Sequence, residues 1–88
     1  MPEICRFYGI IISMNWWEPR HHTPHIHAHY GEDQATINIE TGQLLAGSLP
    51  ARALNLIREW TALHRAELRE LWNLAEAREP LHRIDPLE

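Results

Sequence analysis

Eighty-eight residues and 10.3 kDa leave room for one domain, residues 1–88, with a modest core, and a composition of 44% hydrophobic and 23% charged residues excludes a disordered polymer. Eight arginines, no lysine and twelve acidic residues give a net charge of −4, so the overall field does not draw nucleic acid, and any RNA contact has to use a local arginine patch. No apolar run approaches the roughly 20 residues of a spanning helix and no basic-then-apolar leader opens the chain, so a soluble, cytoplasmic protein without membrane contact is expected.

From Ile4 to Met14 the residues are rich in Ile, Phe and Tyr without helical spacing, and Ile10, Ile11 and Ile12 place apolar groups on both faces of a ribbon. This predicts an interior strand, with Cys5 as a small core residue. Trp16 to Pro24 carries two tryptophans and two prolines and reads as a loop, long enough in so small a domain to suggest a function. Adjacent loop indoles at Trp16 and Trp17 suit either a lid or a partner surface, with at least one of them solvent-accessible in the isolated chain.

His25 to Tyr30 alternates strictly. Ile26, Ala28 and Tyr30 point one way and His25, His27 and His29 the other, as in a half-buried strand. Turn residues at Gly31 to Asp33 return the chain through Ala35, Ile37 and Ile39, and a second turn at Thr41 and Gly42 leads to a short strand around Leu44 to Ala46.

After Gly47 the period becomes helical, with Ser48 as an N-cap and Pro50 in the first turn. Ala53, Leu56, Ile57, Trp60, Leu63 and His64 share one face, and Leu68, Leu71, Leu74 and Ala75 continue it. Glu67 interrupts the stripe, which favours two helices, about Leu49 to His64 and about Arg65 to Arg78, over one. Trp60 and Trp72 are expected in the core, Trp72 off the main stripe. Pro80 ends the helix, and Leu81, Ile84 and Leu87 can dock on the body. The fold expected is α+β: a small, mostly antiparallel sheet of about four strands followed by two C-terminal helices packed on one of its faces.

Five of the seven histidines lie between His21 and His29. Two imidazoles at alternate strand positions, about 7 Å apart along the strand, can converge on one ion. His25 and His27, with His21 or His22 from the loop and Glu32 or Glu40 to complete a mixed set, make a candidate zinc, nickel or iron site. Metal-free acid–base or phosphate chemistry by the same residues, and a plain polar surface, are the alternatives. The string from His25 to Gly31 also imitates a histidine triad, and His25, His27 and Glu32 a cupin metal triplet. Neither context fits, because both helices follow the histidines and about four strands cannot make a jelly roll. Arg58, Arg65 and Arg69 can lie on one helical side, either for phosphate contacts or as a solvated face paired with Glu59, Glu70 and Glu76.

Read whole, the chain resembles the small bacterial family named domain of unknown function 4160. The resemblance is carried by Pro2 to Ile12, the HxxPHxH core of His21, Pro24, His25 and His27, then Tyr30 and Gly31, the INIETG stretch from Ile37 to Gly42, Gly47 to Leu54, the Glu59, Trp60, Leu63, His64, Glu67, Leu68 and Trp72 series, and Ile84 to Leu87. Thr23 replaces the first of two prolines usual before the core. The resemblance marks His21, His25 and His27, and more weakly Tyr30, as site residues, and leaves His22 and His29 out. It implies a gene neighbourhood similar to toxin–antitoxin pairs, hence a small cognate partner protein, and it brings no established activity. A toxin-like member would cleave RNA, with His25, His27 and Tyr30 as catalytic residues, because imidazole titrates near neutral pH. A non-enzymatic protein-binding or divalent-metal-binding regulatory module, with a homodimer among its forms, is the other reading.

Overall fold

In the computed structural model, which describes residues 2–16 and 23–88, five strands precede two helices. The strands are β1 (Glu3–Phe7), β2 (Ile10–Ser13), β3 (His25–Tyr30), β4 (Asp33–Asn38) and β5 (Leu44–Gly47), and the helices are α1 (Ala51–Leu63) and α2 (Arg65–Glu76). The sheet is antiparallel throughout and its spatial order is the chain order. The α+β class therefore holds, with one strand more than expected.

The extra strand comes from a hairpin inside the segment that reads as one strand. Phe7 pairs with Ile10, and Tyr8 and Gly9 between them take φ of 49° and 80°. Positive φ at both central residues is the signature of a type I′ turn, which Asn-Gly announces in sequence and Tyr-Gly does not. The β3–β4 turn is legible: Tyr30 pairs with Asp33, and of the two residues between them only Gly31 has positive φ, as type II′ requires. At the β4–β5 corner the Asn38 side chain accepts from the backbone N–H groups of Glu40 and Thr41, an Asx-turn.

The registers sort the sheet into two faces. Ile12, Ala28 and Ala35 stand in one row, and Ser13, His27, Thr36 and Ala46 in the next. By alternation Ile10, Ile12, Ile26, Ala28, Ala35 and Ile37 share the face covered by the helices, where all but Ala35 form one core with Ile57, Trp60, Leu68, Leu71 and Ala75. The other face carries His25, His27 and His29.

The helices are two and the break falls at His64, where the expected boundaries meet; its φ of −114° and ψ of 21° leave the helical region. Its ring packs on Trp60, with centroids 5.5 Å apart, and its Nδ1 lies 3.2 Å from the Glu67 carboxylate at the start of α2. Ser48 does not cap α1. Pro50 stands at the cap position with no side-chain hydrogen bond, while the Ser48 amide donates to the Gln34 carbonyl and extends the sheet.

The segment after α2 docks on β1. The Ile84 amide donates to the Ile4 carbonyl at 2.8 Å, Ile84 is buried, and the Trp60 indole donates to the Asp85 carbonyl at 2.8 Å. Arg83 reaches Glu3 at 2.9 Å, and Arg6 donates to the same carboxylate at 2.7 Å. Hydrogen bonds from Arg6 first and Arg83 second hold the Glu3 carboxyl below its ordinary range. A carboxylate lowered on folding contributes stability above its unfolded pKa and loses it as pH falls through the folded value. Glu3→Gln should therefore lower the melting temperature modestly at neutral pH, and the gap from wild type should close on acidification below the usual glutamate value of about 4.3. A gap independent of pH would show that the charge on Glu3 contributes nothing.

Candidate functional site

His25 and His27 project from one face of β3 with ring centroids 5.0 Å apart and rings nearly perpendicular. They differ sharply in setting. His25 is only 4% exposed, its ring lies 5.0 Å from that of Trp72, and its Nδ1–H donates to the Thr23 carbonyl at 2.7 Å, which places the imidazole lone pair on Nε2. The contact with His25 gives Trp72, off the main helical stripe, a partner at the first histidine of the row.

His27 is half-buried. The Asn15 side-chain amide approaches Nε2 at 3.4 Å, and Thr36 Oγ1 lies 3.5 Å from Nδ1, both at the long limit of a hydrogen bond. His27 and His29 line a shallow concavity of about 220 Å³ with Gln34, Thr36, Ala46 and Gly47. Ser13, directly opposite His27 in the β2–β3 register, is buried, and its hydroxyl has no hydrogen-bond partner among the described residues. An orphaned buried hydroxyl costs about 1–3 kcal/mol.

The other residues singled out in the sequence do not join this pair. Tyr30 falls on the helix-covered face, by alternation with His27 and His29, and lines a separate pocket with Tyr8 and Arg52. It is not positioned to share a reacting group with His25 and His27. His21, like Trp17 and Arg20, lies outside the described residues. No group of three metal-ligating side chains occurs among the described residues. Trp16 is 47% exposed, in keeping with the expectation of an accessible indole, and its Nε1–H donates to the Glu79 carbonyl.

The three helical arginines do lie on one side, and all are engaged with the β4–β5 corner. Arg58 donates to the Gly42 carbonyl at 2.8 Å, Arg65 to the Ile39 carbonyl at 3.0 Å, and Arg69 grips the Glu40 carboxylate with two nitrogens. They fasten the helices to the sheet rather than pairing with Glu59, Glu70 or Glu76. The Glu40 carboxyl is held low by Arg69.

Ser13, Asn15, Thr23, Thr36 and Trp72 complete the surroundings of the pair and do not read as site residues in the sequence; His29, of the same row, adjoins His27 in the concavity. Thr36 was within reach: a two-residue turn at Gly31 and Glu32 sets Tyr30 against Asp33 and hence His27 against Thr36.

An open antiparallel sheet with helices on one face and a histidine row on the other defines the class of this protein. Over residues 9–73 the chain matches the family model described as domain of unknown function (DUF4160), and it belongs to that family. No curated protein and no solved structure matches it. Among the described residues, no helix is long and apolar enough to cross a membrane.

Proposed function

We propose that the protein is the toxin-like component of a two-gene module and that its activity is acid–base cleavage of RNA by His27, with His25 packed behind it. The module rests on the family's resemblance to toxin–antitoxin arrangements. The chemistry rests on one observation: the half-buried His27 borders an open concavity, with a second imidazole 5.0 Å away. A base that must take and return a proton needs access, and His27 has more of it than His25. Trp16, exposed and anchored through Glu79, is a candidate contact for the small cognate partner.

Producing the protein without its neighbour should slow growth, and His27→Ala should restore it while leaving the melting temperature within a few degrees. Loss of one acid–base participant lowers a rate by about 10² to 10⁴, enough to remove the phenotype. Unimpaired growth with no RNA turnover would leave a non-enzymatic binding module instead.

The Thr23 carbonyl favours a second reading. A backbone acceptor on Nδ1 is the partner that orients metal-bound imidazole, and it directs Nε2 of His25 towards a zinc, nickel or iron ion shared with His27 and completed by His21. Untagged protein should then retain near-stoichiometric metal, which His25→Ala removes. Negligible metal, with no change of melting temperature on adding divalent ions, would leave acid–base chemistry alone.

A further inference from the structure

Tyr8 occupies a costly backbone conformation. At φ 49° it takes the first central position of the β1–β2 turn, where Asn, Asp or Gly would sit without strain. Its side chain gains little from the fold in return, being 58% exposed with one edge-on contact to Phe7 at 6.4 Å. A bulky residue held in the left-handed region and left in solvent points to a use for the ring.

The ring borders a pocket of about 230 Å³ on the opposite side of the sheet from the histidines. Tyr8 and Tyr30 supply two aromatic walls, Ile10, Ala53 and Leu56 an apolar floor, and Arg52 the only charge among the lining residues. The Tyr30 ring lies over the turn, where a Cβ on Gly9 would come within 3.4 Å of it. Arg52 is exposed and takes part in none of the ion pairs among the described residues, unlike Arg6, Arg69 and Arg83. Two phenol rings, an apolar floor and one unpaired guanidinium select a flat aromatic group that carries an anion.

We propose that this pocket binds a nucleotide unit, its base against Tyr8 and Tyr30 and its phosphate on Arg52. Stacking on aromatic side chains with arginine contacts to phosphate is how proteins hold single bases regardless of sequence. The unit comes either from a free nucleotide or from a single RNA strand. The proposal is independent of the chemistry assigned to His27, which lies on the other face.

The test is a titration of the intact protein with adenosine 5′-monophosphate and with an adenine hexaribonucleotide, followed by chemical shifts of the Tyr8, Tyr30 and Arg52 signals. Binding with Kd near 1 mM or tighter is expected for at least one probe, and the hexamer alone would identify an RNA strand as the source. Tyr8→Asn is the decisive variant: Asn suits the turn, so the melting temperature should hold or rise while affinity falls at least about fivefold. Arg52→Gln should weaken binding similarly. Absence of binding to both probes, or affinity indifferent to Tyr8→Asn and Arg52→Gln, overturns the proposal.

Discussion

Gly47→Ala should destabilise the protein by about 2–5 kcal/mol, the sum of a left-handed backbone imposed on alanine and an overpacked contact. Gly47 has φ of 77°, and a Cβ built there falls on the Gln34 carbonyl oxygen and 2.9 Å from the Ala35 Cα. Both are backbone atoms of β4, so no side chain can swing aside. The strand pairing of Gly47 with Ala35 has to open, and with it the Ser48 to Gln34 hydrogen bond. Gly31→Ala is the control. Its φ is 60°, but nothing lies within 4 Å of the new Cβ, so only the conformational cost of about 1–2 kcal/mol applies. Urea denaturation of the two variants separates the effects, and equal losses would mean that the clash at Gly47 relaxes freely.

Trp60→Ala should cost about 3–5 kcal/mol, a large share of the 5–15 kcal/mol typical of a whole domain. The indole is fully buried, packs on Phe7 of β1 with centroids 5.6 Å apart, and holds the Asp85 carbonyl. It joins helix, sheet and C-terminal segment at one point. Trp60→Phe, which keeps most of the packing but not the donor, should lose less. In that variant amide exchange at Ile84 should rise more than exchange in β3, because Asp85 is its neighbour. Uniform acceleration across the chain would argue that the indole hydrogen bond contributes nothing local.

Period and punctuation in the sequence carried much of this architecture. The alternation from His25 to Tyr30, the turn at Gly31 and the helical stripe through Ala53, Ile57 and Trp60 are local signals, and β3, β4 and α1 follow them. The missed hairpin shows where local reading stops. Tyr8 is a poor I′ residue, so the turn is imposed by the pairing of Phe7 with Ile10, a cooperative property of two strands. The site divides in the same way. Alternation alone places His25 and His27 on one face. It also places Tyr30 on the other, so their separation was legible, while the burial of His25 against Trp72 was not, because it is a contact between elements far apart in sequence. The arginines followed helical spacing onto one side, yet spacing cannot tell that Gly42, Ile39 and Glu40 would meet them there.

The hydrogen bond from Ile84 to Ile4 joins the first strand to a segment synthesised long after it. Until that segment is made, β1 presents a row of unsatisfied amides and carbonyls along its outer side, beside the buried faces of Ile4 and Phe7. Such an edge is a template for pairing with other chains, and late closure of a distant contact is slow. A nascent or truncated chain lacking Ile84 is therefore the species most prone to aggregate. Shortening the chain before Arg83 should reduce soluble yield well before it removes secondary structure.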